Sequence, residues 1–137
     1  MNKSDGRKEN ATGELGRVVV LNRDVFFGVK IGNQLRTLGY EVVFVKDALA
    51  FVEVVQLEPK PVLGLVDMNA RVDWDAIGPL MTDGGPGVPV LAFGSHLDVE
   101  GRRTAKAAGV TRVLSNGDFH RGMVALVKRY AKSPNLS

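Results

Sequence analysis

The segment "PVLGLVDMNARVDWD", residues 61–75, joins an apolar run directly to an aspartate. Residues 62–67 form an uninterrupted apolar stretch up to that aspartate, which is typical of a strand buried on both faces of a parallel sheet. Asp67 then stands at the carboxyl end of the strand, where parallel α/β sheets bind their ligands. The segment therefore predicts a buried strand that presents one carboxylate to a possible site.

Apolar runs of strand length alternate with helix-forming segments along the rest of the chain. The predicted strands cover residues 17–22, 41–45, 62–67, 88–93 and 112–114, and the predicted helices cover 25–39, 47–56, 72–83, 96–109 and 118–132. Parallel strands joined through helices need right-handed crossovers, which place helices on both faces of the sheet. The sequence predicts a doubly wound α/β sandwich with five parallel strands.

Length and composition restrict the class of protein. The chain of 137 residues fits one domain, and its lack of cysteine excludes disulfides and thiolate metal sites. No apolar run approaches the length of a membrane span, and the polar N-terminus lacks the apolar core of a secretory signal. We expect a cytoplasmic protein with a flexible tail over 1–16, a domain over 17–132 and a C-terminal tail over 133–137.

Positive charge is concentrated near the C-terminus. Residues 100–132 contain eight basic and two acidic residues, whereas the formal net charge of the whole chain is only +3. Such a run is most often a set of solvated helix faces, but it also suits an acidic partner or nucleic acid. Tyr130 stands alone as an aromatic side chain among these charges, so the run lacks the interleaved aromatics that stack on bases.

The predicted strands bring a set of polar residues and one glycine to the same edge of the sheet. These site-lining residues are Asn22, Arg23, Asp24, Asp67, Asn69, Gly94, Ser95, Ser115 and Asn116. No nucleophile and base can be paired among them, so we expect no enzymatic activity. Ser95 and Asp98 have the spacing of a capping box that starts the fourth helix. His96 and His120 are expected to be isolated surface histidines.

The order and spacing of four segments resemble a response-regulator receiver domain over residues 17–132. The segments are "LRTLGYEV", "PVLGLVDMN", "VPVLAFGSH" and "AKAAGVTRVL". The resemblance implies a flavodoxin-like sandwich and a role in two-component signalling. It also implies that Asp67 occupies the position of the phosphorylated aspartate, and that the backbone carbonyl of Asn69 would reach the family's Mg²⁺.

The sequence departs from the receiver pattern at the other active-site positions. Asn22 and Arg23 replace the two acidic Mg²⁺ ligands, and Gly94 replaces the phosphate-binding Thr or Ser. Val113 replaces the aromatic switch residue and Asn116 replaces the lysine. Shifts of one residue would supply Asp24, Ser95 and Ser115, but no shift supplies the lysine.

These departures remove the cations that phosphoryl transfer to a carboxylate requires. We therefore expect Asp67 to be a structural carboxylate, bonded to Arg23 or to backbone donors of the following loop. Asp24 is expected to cap the first helix. The resulting prediction is a receiver-like module that works without phosphorylation, binds no cofactor and acts by protein–protein interaction.

The resemblance also suggests a partner surface and leaves two alternatives open. In receivers the fourth helix, fifth strand and fifth helix commonly meet a partner or a second copy, and here that face contains Arg102, Arg103, Lys128 and Arg129. We expect an acidic partner or a homodimer there. The first alternative is a working phosphoacceptor in which Asp24 or water helps to hold Mg²⁺. The second is a nucleic-acid binder that uses the basic face.

Overall fold

The computed structural model describes residues 13–81 and 85–133, where five strands alternate with five α-helices. The strands are β1 Arg17–Leu21, β2 Glu41–Val45, β3 Leu63–Asp67, β4 Val90–Gly94 and β5 Arg112–Ser115. The helices are α1 Val25–Leu38, α2 Ala48–Val55, α3 Trp74–Ile77, α4 Val99–Ala108 and α5 Asn116–Tyr130. Short 3₁₀ turns, Met68–Ala70 and Gly78–Leu80, follow β3 and α3.

All five strands pair in parallel, in the order β2-β1-β3-β4-β5. The chain runs from β1 outward to β2 and then returns to the other side of β1 for β3. The order of the strands therefore reverses between β1 and β3, and this is the topological switch point at which open α/β sheets form their ligand crevice. The predicted doubly wound sandwich is confirmed.

The two faces of the sheet bury separate hydrophobic clusters, because successive side chains of a strand point to opposite faces. On one face, Val19 and Leu21 of β1 pack with Phe51 of α2 and with residues of α3 and α4. On the other face, Val18 and Val20 pack with residues of α1 and α5. The uninterrupted apolar runs of the sequence correspond to these doubly covered strands.

The ends of α1 are as predicted. The Asp24 carboxylate accepts a hydrogen bond from the Phe27 N–H at 3.1 Å, as an N-cap does. Gly39 follows the last turn with a φ of 110°, a left-handed conformation that glycine adopts without the steric cost of a side chain.

The predicted start of α4 is wrong. The helix begins after Asp98, whose carboxylate accepts from the Gly101 N–H at 2.9 Å. Ser95 caps a separate turn, with its hydroxyl accepting from the Leu97 N–H at 3.1 Å. Two other boundaries also shift by two residues: β4 begins at Val90, after Pro89, which lacks an N–H for the ladder, and α5 begins at Asn116.

Part of the predicted N-terminal tail is attached to the sheet. Residues 13–16 form a turn in which the Leu15 N–H donates to the Gly39 carbonyl at 3.1 Å. The Gly16 carbonyl accepts from the Glu41 N–H at 2.9 Å, which places the turn beside β2. Residues 1–12 and 134–137 of the predicted tails lie outside the described residues. In the described ranges no helix is both long and apolar enough to cross a membrane.

Candidate functional site

The candidate site is the crevice at the carboxyl ends of the central strands. Leu21 of β1 is in register with Val66 of β3, so Asn22 follows β1 beside Asp67. Gly94 of β4 is in register with Ser115 of β5. The structure therefore brings the predicted site-lining positions of four strands to one edge of the sheet, at the topological switch point.

Asp67 is a nearly buried carboxylate at this edge, with an exposure of only 5%. One of its oxygens accepts from the Asn69 N–H at 2.9 Å, within the 3₁₀ turn that follows β3. Burial raises the pKa of Asp67 above its usual value, the Asn69 hydrogen bond partly lowers it, and the nearby Asp24 carboxylate raises it again. The net rise means that the environment disfavours the charged form.

Arg23 does not neutralise this carboxylate. Its side chain is exposed, and within the part of the chain that the structure describes it takes part in no ion pair. Of the two partners expected for Asp67, the structure contains the backbone donor. The Arg23 side chain instead lines a groove between α1 and β2.

The side chain of Asn22 forms its hydrogen bonds within the loop between β1 and α1. Its amide nitrogen donates to the Asp24 carbonyl at 2.8 Å, and its amide oxygen accepts from the Asp24 N–H at 3.2 Å. The side chain is 9% exposed, so these bonds satisfy a nearly buried group. Asn22 therefore shapes the loop between β1 and α1.

Met68 fills the space beside Gly94. A Cβ atom built on Gly94 would lie 2.7 Å from Cε of Met68 and 3.2 Å from its Cβ, closer than side-chain carbons normally approach. A Thr or Ser at this position, which the resemblance to receivers implies, would therefore require Met68 to move. The phosphate-binding hydroxyl is absent, and another side chain occupies its surroundings.

Three neighbouring residues could replace the missing active-site groups if the pattern were shifted by one position, but each of them caps a helix or a turn. Asp24 caps α1, and Ser95 caps the turn before α4. Ser115 caps α5, with its hydroxyl accepting from the Asp118 N–H at 3.0 Å. Each oxygen thus satisfies a backbone donor that would otherwise be unpaired at the start of a helix or turn.

The crevice has fewer acidic side chains than the resemblance to receivers implies for a Mg²⁺ site. Asp24 and Asp67 are the only carboxylates of the crevice among the described residues, and each accepts a backbone N–H with one oxygen. No group of three or more acidic or histidine side chains suited to a metal occurs in the described ranges. Mg²⁺ is usually held by one or two carboxylates together with several waters, and here one of the two carboxylates, Asp24, also caps α1.

His120 was missed by the sequence reasoning, which placed it on the surface. Its ring stacks on Phe27 of α1 at 4.4 Å between centroids and meets Phe93 and Phe119 edge-on. Both ring nitrogens are buried and have no hydrogen-bond partner in the described structure. Burial lowers the pKa of His120, Lys30 lowers it further, and Asp24 raises it. Its spacing from Met123, three residues along the buried face of α5, was the available signal.

The four predicted partner-binding cations lie on both sides of β5, which is an edge strand. Arg102 and Arg103 belong to α4, on one face of the sheet, and Lys128 and Arg129 belong to α5, on the other. Arg103 pairs with Glu100 at 2.8 Å. Lys128 and Arg129 are exposed and form no ion pair with any described residue.

No family model and no curated protein matches this chain. Its fold does match solved receiver structures. One is the receiver domain of a sensor histidine kinase from Pseudomonas aeruginosa PAO1, with a magnesium ion coordinated in its active-site cleft; the TM-score is 0.69 at 19% identity, over 84% of this chain and 96% of that one.

Two further matches are response regulators. The phosphorylated cyanobacterial phytochrome response regulator RcpA gives a TM-score of 0.70 at 14% identity, over 88% of this chain and 99% of that one. A chemotaxis response regulator of Vibrio cholerae gives 0.69 at 16% identity, over 85% and 98%. These likenesses establish that the chain has the receiver fold.

Proposed function

We propose that this protein is a receiver-like signalling module of two-component type that works without phosphorylation and acts by binding another protein. The observation that carries the proposal is the environment of Asp67. The phosphoacceptor position holds a carboxylate, but the groups that would neutralise a transferred phosphoryl group are missing or already bonded. The fold and the position of Asp67 connect the chain to receivers, and the surrounding side chains separate it from their chemistry.

The electrostatic argument rests on charge accumulation. A phosphoryl group brings negative charge to a carboxylate, and enzymes offset this with metal ions and positioned cations. Here Asp24 adds to the unfavourable potential at Asp67, while Arg23 forms no ion pair with it. Asn116 stands in place of the lysine. The transition state would therefore gain little stabilisation from this crevice.

A second candidate is a phosphoacceptor with unusual metal ligands. One observation favours it: Asp24 lies close enough to Asp67 to raise its pKa, so two carboxylates share one crevice. A divalent cation held between them would relieve that repulsion. Such a site would have to complete its coordination with water and backbone carbonyls, the carbonyl of Asn69 among them.

Intact-mass spectrometry separates the two candidates. The purified protein is incubated with acetyl phosphate and Mg²⁺, beside a receiver that retains its acidic pair and lysine as a control for the donor. We expect the control to gain about 80 Da, the mass of one phosphoryl group, and this protein to remain unchanged. A gain that the Asp67→Asn variant abolishes would establish the phosphoacceptor and refute the proposal.

We place the partner-binding surface on the face formed by α4, β5 and α5. Three features support it: the concentration of positive charge, the lack of ion pairs at Lys128 and Arg129 with any described residue, and the 39% exposure of Val124 on α5. A mixed basic and apolar surface suits an acidic protein partner or a second copy of the chain.

Charge reversal tests this surface. Lys128→Glu with Arg129→Glu should abolish capture of the partner from the source cells, or dissociate the homodimer in sedimentation velocity. Lys30→Glu with Lys60→Glu, which changes the charge equally on other exposed segments, serves as the control. Equal loss in both variants would indicate a net-charge effect, and unchanged binding in the first would exclude this face.

A further inference from the structure

A groove separates α1 from the edge strand β2, at the same end of the sheet as Asp67 but on its outer side. Its volume is about 560 Å³. Ten residues of the β1–α1 loop, α1, β2 and the residue after β2 line it: Asn22, Arg23, Asp24, Val25, Gly28, Val29, Arg36, Phe44, Val45 and Lys46. Pockets of roughly 300–1,000 Å³ are the size that holds small organic ligands.

Positive charge dominates the walls of this groove. Arg23, Arg36 and Lys46 line it, and all three are exposed and free of ion pairs with any described residue. The one acidic lining residue, Asp24, directs an oxygen to the Phe27 N–H at the start of α1. Three cations from separate segments thus surround a space that contains one carboxylate, already engaged.

Apolar side chains form the other part of the lining. Phe44 is 39% exposed, Val25 79% and Val29 57%, all high values for such residues. Gly32 allows Phe44 to lie against α1, because a Cβ built there would come within 3.2 Å of Cζ of Phe44 and 2.9 Å of Nη1 of Arg36. An aromatic ring and a guanidinium therefore border the same glycine, and water contacts apolar surface that a ligand would cover.

We propose that this groove binds a small amphiphilic anion, with its apolar body against Phe44, Val25 and Val29 and its carboxylate, phosphate or sulfonate group on Arg36 and Lys46. Charge complementarity identifies this ligand class, since unpaired cations favour an anion and the exposed ring favours an apolar body. Arginine is suited to bidentate contacts with such groups. The site is independent of the partner surface proposed on α4, β5 and α5.

A pair of probes that differ only in charge tests the proposal. The anion 8-anilino-1-naphthalenesulfonate supplies an apolar body with one sulfonate, and N-phenyl-1-naphthylamine is the same body without it. We expect saturable 1:1 fluorescence binding of the anion with a dissociation constant of about 10–100 µM, the range for a ligand of this size. The uncharged probe should bind at least about tenfold more weakly, because it loses charge-assisted hydrogen bonds.

Variants locate the binding. Arg36→Gln with Lys46→Gln should weaken binding of the anion by about tenfold or more. Lys128→Gln with Arg129→Gln removes the same charge from α5 and should leave binding unchanged. Phe44→Ser should weaken both probes, and near-UV circular dichroism of each variant verifies that its tertiary structure is intact. Amide chemical-shift changes should concentrate in residues 22–29 and 44–46.

Three results would overturn the proposal: equal affinity for both probes, equal loss of binding in the α5 control, or shift changes centred outside the groove. A fourth result would also overturn it, by showing that the groove has a different occupant. A concentration-dependent dimer of the unmodified protein that Arg36→Gln with Lys46→Gln abolishes would assign the groove to a second copy of the chain.

Discussion

Asp67 is a charged group whose surroundings favour its neutral form. Only the Asn69 N–H stabilises the carboxylate among the described contacts, while burial and the negative charge of Asp24 oppose ionisation. A carboxyl group whose pKa is raised on folding is bound to its proton more tightly in the folded state. Its ionisation at neutral pH therefore reduces the free energy of unfolding.

We expect Asp67→Asn to stabilise the protein at pH 7, by on the order of 1 kcal/mol. The asparagine oxygen can still accept from the Asn69 N–H, and the variant removes the buried charge. Well below pH 3.8, the usual pKa of an aspartate, the carboxyl group is protonated in both states and the gain from removing its charge should vanish. Urea denaturation at pH 7 and near pH 3 measures both. A loss of stability at pH 7 would mean that the charge is compensated.

His120 presents the opposite case, a ring whose nitrogens are buried without partners among three phenylalanines. His120→Phe keeps an aromatic ring and removes the unsatisfied polar atoms. We expect a gain of about 1 kcal/mol in the free energy of unfolding at pH 7, the scale of one unsatisfied buried group. His96→Phe, at an exposed position, is the control and should change little. Destabilisation by His120→Phe would show that a nitrogen is satisfied in solution.

The roles of single side chains could be predicted only in part. The positions of Asp67 and Asp24 follow from strand ends and helix starts, which depend on periodicity along the chain. The packing of Met68, in the turn after β3, beside Gly94, at the end of β4, joins residues that are 26 positions apart in the sequence. The pattern of residues within one segment of the sequence does not predict such a contact. His120 follows the helical period, but its polarity favoured a surface interpretation.

The start of α4 shows how two local signals compete. Ser95 and Asp98 both suit an N-cap, and their spacing fits one capping box, yet the structure uses each for a different turn. The carboxylate of Asp98 gains additional stabilisation at the positive end of the helix dipole. The existence of α4 was therefore predictable, and its first residue depended on a choice between caps.

Removal of each cap should have a different cost. We expect Asp98→Ala to reduce the free energy of unfolding by about 1 kcal/mol, since it leaves an N–H of the first turn of α4 unpaired. Ser95→Ala affects only the preceding turn and should cost at most about 0.5 kcal/mol. Urea denaturation of both variants under the same conditions gives the comparison. If Ser95→Ala reduced the free energy of unfolding as much as Asp98→Ala or more, that result would support the predicted capping box.

Across the whole domain, apolar pattern and topology were predictable because the sheet is covered on both faces. Continuous apolar strands and amphipathic helices leave few arrangements other than a doubly wound sandwich. The chemistry of the crevice is less predictable, since the same scaffold accepts different side chains at its strand ends. The receiver fold is thus compatible with a crevice in which Asp24 is the charged neighbour that shifts the pKa of Asp67.

Asp67 and His120 should give the domain a characteristic pH dependence of stability below neutral pH. Because folding raises the pKa of Asp67, its contribution falls as the pH rises from 3.8 through its folded value. Because folding lowers the pKa of His120, its contribution is complete above 6.5 and declines as the pH falls below that. Asp67 should therefore lower the free energy of unfolding as the pH rises above 3.8, and His120 should raise it as the pH approaches 6.5.

Variants separate these two effects, since other ionisable groups add a common background to every profile. Relative to the unmodified protein, Asp67→Asn should remove the fall on the acidic side, and His120→Phe should remove the rise on the neutral side. The difference between each variant and the parent, measured by urea denaturation from pH 3 to 8, isolates one group. A difference that does not vary with pH in its window would show that the group has the same pKa in the folded and unfolded states, and that burial in this crevice or ring cluster does not control its ionisation.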